Sequence, residues 1–294
     1  MEIGLMLPMG ENPRDGTGGD VPSTFPTIRA LALEVESAGL NSVWLYDHLL
    51  MVDGDGPPAS GWEAWTLLSA LAAATRTVRL GLLVSCTSFR HPALLARMAH
   101  TVQEISDGRL ILGLGAGWHE PEYRALGLPF DHRVARFAEA LEIIAPMLRE
   151  GRATFEGRYY TVHDCPLLPE RASGPARTPI LIGSGGGERM LGLVARFADA
   201  WNTAWYGRPD DRFAAMRAKL RAACAAAGRD EVELTVGMLV GAGPKHLPAR
   251  ADAVAEAVAA WREQGIDHLI CLPDPADRTT VDALVEGVAV SSSG

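Results

Sequence analysis

Short apolar runs alternate along the whole chain with longer stretches whose apolar residues recur at helical spacing. Ile3–Leu7 (IGLML) reads as a buried strand, and Pro26–Ala38, closed by Gly39, as a helix. Ser42–Tyr46 (SVWLY) precedes a helix over Glu63–Ala74. Val78–Val84 (VRLGLLV) precedes one over Pro92–Ile105 that stops at Asp107-Gly108. Leu110–Gly115 leads through a broken helical region into Arg133–Arg149. Four more pairs follow: Pro179–Gly183 with Glu188–Phe197, Asp199–Trp205 with Pro209–Ala227, Val232–Val240 with Arg250–Gln264, and His268–Leu272 with Thr279–Val288. One excursion interrupts the rhythm: Ala153–Val162 has a Glu-Gly turn between β-prone halves and predicts a hairpin before the fifth strand.

An unbroken β-then-α order requires parallel strands joined by helical crossovers. Eight such units in a chain of 294 residues predict an α/β protein, a (β/α)8 TIM barrel, with a doubly wound open sheet as the rival. No linker or low-complexity segment divides the chain, so a single domain over residues 1–294 is expected.

Composition narrows the partners. A net charge of −9 argues against nucleic acid and anionic membrane surfaces, and leaves a small molecule as the expected partner. No apolar stretch approaches the ~20 residues of a membrane helix, and MEIGLMLPMG lacks a basic leader region, so a cytoplasmic location is expected. Cys86, Cys165, Cys224 and Cys271 are scattered without a CxxC pair, which predicts reduced thiols and no metal site. A Schiff-base aldolase needs a lysine at a strand end, yet Lys219 lies in a predicted helix and Lys245 beyond a strand-end loop. A barrel hydrolase built on metal would place histidines on the first strand, which has none.

Two glycine clusters compete for attention. Gly113-x-Gly115-x-Gly117 lacks dinucleotide spacing and follows the fourth strand rather than the first, and no phosphate-binding G-x-x-x-x-G-K-[ST] run occurs. This cluster reads as a corner that sets Trp118 and His119 against a cavity. The stretch GSGGGERM (Gly183–Met190) opens a helix, where successive backbone N–H groups favour a phosphate. In barrels the loops after strand C-termini build the site. Here they collect Asp47, His48, Ser85, Cys86, Gly117, Trp118, His119, Gly183–Gly187, Trp201, Asn202 and Trp205, a set suited to a flat aromatic ligand carrying a phosphate.

DHLL after the second strand, the run WEAWTLLSALAAATRTVRLGLLVSCTSFRHPALLARM, then SDGRLILGLGAGWHEPEYRALGLPF, TFEGRYY and PILIGSGGGERML together resemble the bacterial luciferase-like monooxygenase family. Within it they resemble most the branch that uses the deazaflavin F420. The match runs in fixed order from Ile3 to about Gly228, and the remainder is similar in pattern only. The resemblance implies a (β/α)8 barrel, often a homodimer, that binds a reduced flavin or deazaflavin in the barrel mouth. It implies hydride transfer between F420 and an organic substrate. FMN with oxygen-dependent monooxygenation is the alternative, and a non-catalytic flavin-binding barrel stays open beside both. Oxygen reactivity separates the two cofactors: reduced FMN reacts with oxygen, whereas the deazaflavin, with carbon at ring position 5, does so poorly.

The resemblance also assigns residues. Asp47 and His48 match the Asp-His placed beside the ring, with proton transfer by His48 as the expected role. Leu83, Val84 and Ser85 fall where relatives bend the third strand under the ring, commonly through a cis non-proline peptide. Cys86 stands where proline or threonine is the family pattern, and His119 where relatives often carry an asparagine that reaches the cofactor. Gly117 with Gly183, Ser184, Gly185, Gly186 and Gly187 completes the expected cofactor set. Trp118 replaces an acidic proton donor of relatives that oxidise sugar phosphates, which argues against that reaction. Trp62, Trp118, Trp201, Asn202 and Trp205 are the expected substrate contacts. Glu63 reads first as an acid complementing a helix dipole, and Arg90 as a residue that either reaches a cofactor tail or lies in solvent.

Overall fold

The computed structural model describes residues 1–9, 24–51, 61–169 and 177–292. Among them, eight parallel strands close into a barrel with helices between successive strands. The strands are Glu2–Met6, Ser42–Leu45, Arg79–Leu82, Leu110–Gly115, Ile180–Gly183, Ala200–Tyr206, Glu233–Gly241 and His268–Asp274. Closure comes from the first strand pairing with the eighth (Ile3 opposite Leu269) and the third with the fourth (Leu80 opposite Leu110). The rival open sheet is thereby excluded.

Expected and observed element ends differ by a few residues in most cases. The third strand differs in kind. Its regular part stops at Leu82, the Leu83–Val84 peptide is cis, and pairing resumes at Ser85–Cys86 against Leu114 and Gly115. The broken region after the fourth strand contains a short helix, Glu120–Ala125. The hairpin pairs Arg152–Glu156 with Thr161–Pro166, with Phe155 opposite Val162. No helix among the described residues is long and apolar enough to cross a membrane.

Side chains alternate between two apolar layers, as the period of a strand requires. Odd positions of the first strand (Ile3, Leu5) and their equivalents elsewhere, such as Val43, Leu80, Leu112, Ile182 and Leu269, pack outward against the helices. Met6, Trp44, Leu83, Ile111, Leu181, Ala200 and Ile270 fill the barrel itself. Trp44 is the largest of the inner set and is fully buried. It fits because Gly4 and Gly81 face it, since a Cβ at either would overlap its indole or the neighbouring Ser42 hydroxyl.

A hydrogen-bonded chain runs through the barrel near the amino-terminal ends of the second and eighth strands. Trp44 Nε1 donates to Ser42 Oγ (2.7 Å), and Ser42 Oγ lies 2.8 Å from His268 Nε2. Burial pushes the His268 imidazole down to about 3, so it stays neutral and can accept the Ser42 proton. Its other nitrogen faces Glu2 at 3.5 Å.

Candidate active site

The carboxyl ends of the strands surround a cavity of about 710 Å³, within the range of small-molecule sites. Its floor is apolar: Met6, Leu83, Val84, Trp205 and Leu272 line it, together with Tyr46, whose phenol burial pushes up to about 12. Val84 is held in place sterically. A Cβ at Gly115 would lie 2.5 Å from Val84 Cγ2, and one at Gly183 would lie 2.8 Å from Val84 Cγ1. Both glycines face inward, so they let the fourth and fifth strands close around a valine at the bend of the third. Gly117 has φ +75°, and a Cβ there would overlap the Tyr123 hydroxyl. The first glycine cluster, expected as a corner, thus serves close packing instead: Gly113 and Gly115 lie within the fourth strand, and Gly117 turns the chain after it.

A buried charge network borders the cavity at Asp47. The Asp47 carboxylate accepts from Arg90 Nη1 (2.6 Å) and Nη2 (3.0 Å), from Ser85 Oγ (2.9 Å) and from Cys86 N (3.0 Å). Burial pushes the Asp47 carboxyl up, and the Arg90 fork opposes that push. Arg90 Nη2 also donates to Glu63 Oε1 (2.5 Å), while Glu63 caps its helix by accepting from Thr66 N (2.7 Å). Trp65 Nε1 donates to Ser85 Oγ at 3.1 Å. The network joins the ends of the second and third strands to the helices that follow them. Arg90 therefore neither reaches into the cavity nor lies in solvent: its guanidinium is consumed by two carboxylates. Glu63 acts as the helix-capping acid.

A second buried acid, Glu122, also lines the cavity. Its Oε1 accepts from Leu49 N (2.7 Å) and Leu50 N (3.0 Å), and its Oε2 lies 2.9 Å from His48 Nδ1. Burial alone would raise this carboxyl, but the bonds from His48, Leu50 and Leu49 outweigh it and hold it below the usual carboxylate range. His48 stacks edge-on with Trp118 (5.4 Å between ring centres) and His119 (6.2 Å). Cys86 Sγ lies 3.1 Å from Tyr123 Oη, and burial pushes the thiol up to about 11, so it stays protonated.

The second glycine cluster borders the same cavity. Gly183, Ser184, Gly185 and Gly187 line it, and Gly187 precedes the helix Glu188–Phe197. A Cβ at Gly185 or Gly187 would meet nothing within 4 Å, so the backbone there opens to the cavity. Gly186, with φ +84°, turns the loop; its N–H donates to Ser184 Oγ (3.1 Å). Arg133, also on the cavity wall, donates to Gly117 O (3.1 Å) and lies over the Phe130 ring at 4.0 Å.

Most expected site residues are brought together: Asp47, His48, Leu83, Val84, Cys86, Gly117, Trp118, Gly183, Ser184, Gly185, Gly187 and Trp205 all line the cavity. The others do not line it. Ser85 is fully buried in the Asp47 network, His119 is buried behind Trp118 and His48, and Gly186 faces Met216. Trp62 is 54% exposed at the start of its helix. Asn202 Nδ2 donates to Thr235 Oγ1 (2.8 Å). Trp201, expected as a substrate contact, is fully buried in the outer layer against the helices. A bulge between the sixth and seventh strands changes the alternation after Thr203, so Trp205 faces inward and Trp201 outward. Reading the sequence missed Glu122, Tyr46, Tyr123 and Arg133. The acid in WHEPEY is visible as a residue type, but its partners lie more than 70 positions away. Among the described residues no group of three or more His, Cys, Asp or Glu could hold a metal ion.

The model of the luciferase-like monooxygenase family matches residues 1–282. The pyrimidine monooxygenase RutA of Methylobacterium radiotolerans is 30% identical over 283 residues, covering 90% of this chain and 72% of its own. RutA of Methylorubrum extorquens PA1 is 31% identical over 286 residues, covering 90% and 74%. Two solved structures share the fold. An F420-dependent secondary alcohol dehydrogenase in complex with an F420-acetone adduct superposes with a TM-score of 0.78 at 17% identity, over 99% of this chain and 98% of its own. Riboflavin lyase (RcaE) with modified FMN and riboflavin superposes with a TM-score of 0.80 at 16% identity, over 100% and 91%.

Proposed function

Since this chain belongs to the luciferase-like monooxygenase family, we propose that it is a flavin-dependent monooxygenase that holds FMN in the barrel mouth and oxygenates a small organic substrate. The relatives at 30–31% identity are monooxygenases, and that reaction needs a reduced ring that reacts with oxygen. FMN meets the requirement and the deazaflavin does not, so FMN replaces F420 as the preferred cofactor. The F420-dependent neighbour, at 17% identity, bears on fold alone.

The observation that carries this reading is the shared cavity. One side offers the open backbone of Gly185 and Gly187 at a helix N-terminus, and the floor offers an apolar surface at Leu83 and Val84. The first suits a phosphate and the second a flat ring. Gly183–Gly187 would hold the phosphate, and Arg133 is the arginine among the cavity-lining residues. Bound FMN, once reduced, supplies the oxygen chemistry. The chain's own residues position the ring and exclude water, with His48 available for proton transfer at the wall and Trp118 and Trp205 shaping the substrate space.

The test is titration of the purified apoprotein with FMN and, separately, with F420, followed by fluorescence. FMN is expected to saturate one site per chain, and reduced FMN to support oxygen uptake that depends on substrate. Saturable binding of F420 with none of FMN would overturn the reading.

A further inference from the structure

His48, on the loop that follows the second strand, meets Glu122, on the short helix that follows the fourth. The Glu122 side chain is 2% exposed, and both its oxygens are engaged by this one loop. An ionised carboxylate accepts only, so the proton in the 2.9 Å contact with His48 sits on Nδ1. A neutral imidazole carries one N–H, which leaves Nε2 with a lone pair. The ring lines the cavity, and the edge-on contacts with Trp118 and His119 limit its rotation.

We propose that Glu122 is a positioning residue that locks His48 in its Nδ1–H tautomer, so that the cavity wall presents Nε2 as a hydrogen-bond and proton acceptor. A substrate suited to such a wall carries an N–H or O–H group that Nε2 can accept from, as an amide, lactam or phenol does, and an ether or hydrocarbon gains nothing there. That substrate class rests on the proposed monooxygenase function; the tautomer does not.

Glu122 also ties down Leu49 and Leu50, so loss of activity on its removal would not separate orientation from loop packing. Glu122→Gln does. Its carboxamide oxygen still accepts from Leu49 and Leu50 N–H, but its nitrogen can only donate to His48 Nδ1. The imidazole proton must then move to Nε2, with the loop kept in place.

The readout is long-range proton–nitrogen NMR on the full chain with ¹⁵N-histidine, without cofactor, at pH about 8, above the ordinary histidine range. His48→Gln assigns the signal. In the unsubstituted protein the unprotonated nitrogen of His48 is expected to be Nε2; in Glu122→Gln it moves to Nδ1 while the circular dichroism spectrum is retained. An Nε2–H tautomer or a doubly protonated ring in the unsubstituted protein overturns the inference, whether or not the variant folds. So does an unchanged tautomer in a folded variant. FMN titration of the same samples separates the two claims: an Nδ1–H ring without FMN binding sinks the flavin reading alone, and FMN binding to a protein with an Nε2–H ring sinks this one alone.

Discussion

Gly115→Ala tests whether the bend of the third strand is held by packing from its neighbours. The added Cβ would lie 2.5 Å from Val84 Cγ2, against roughly 3.5–4.0 Å for a relaxed carbon contact, so about 1 Å must be recovered by displacement. Gly115 is not among the positive-φ residues, so the cost is steric rather than conformational. Overpacking of this size costs about 1–3 kcal/mol. The only heavy atoms within 4 Å belong to Val84, which makes the effect removable. Val84→Ala deletes the clashing methyl groups and, at ~0.8 kcal/mol per buried CH₂ and half burial, itself costs roughly 1 kcal/mol. In the Val84→Ala background Gly115→Ala should therefore cost little, and the double-mutant cycle should return a coupling of about 1–2 kcal/mol in the compensating direction. Urea unfolding followed by circular dichroism, with midpoints compared at constant slope, measures it. Gly113→Ala is the control: its Cβ would overlap the Leu82 carbonyl oxygen, which no side-chain truncation removes. A Gly115→Ala cost below about 0.5 kcal/mol, or one equal in both backgrounds, would refute the packing argument.

Arg90→Met should destabilise by about 3–5 kcal/mol in the same urea assay, because it leaves the buried Asp47 without its countercharge. An effect under about 1 kcal/mol would show that Asp47 is not ionised in the fold. Gly185→Asp should leave the unfolding midpoint unchanged, as its side chain enters open space, while FMN affinity drops at least tenfold (about 1.4 kcal/mol) through like-charge repulsion. Unchanged affinity would remove this loop from the phosphate site. Ellman's reagent at pH about 8 should titrate one thiol of four in the folded chain. Cys165 is half-buried, whereas Cys86, Cys224 and Cys271 are buried, and burial holds the Cys86 thiol up at about 11. Rapid reaction of a second thiol would contradict the burial of Cys86.

The alternation of strand and helix was legible because it depends on local periodicity, and turn residues such as Gly39 and Gly108, both left-handed in the structure, marked the helix ends. Barrel closure depends on the pairing of Leu80 with Leu110 and of Ile3 with Leu269, which no local pattern encodes. The site was legible where strand ends alone define it, as at His48 and the Gly183–Gly187 loop. It was not legible where two distant loops must meet. Arg90 gave no sign in the sequence that Asp47, 43 residues away, would claim it. Trp201 and Trp205 share a parity that predicts a common face, and the bulge in their strand overrides it.

Trp44, Ser42 and His268 satisfy one another inside the barrel, and that arrangement works in one protonation state only, because a doubly protonated ring cannot accept from the Ser42 hydroxyl. Burial holds the His268 imidazole down at about 3. As pH falls below the ordinary histidine range the unfolded chain therefore takes up a proton that the fold refuses, and the barrel loses stability progressively toward pH about 3.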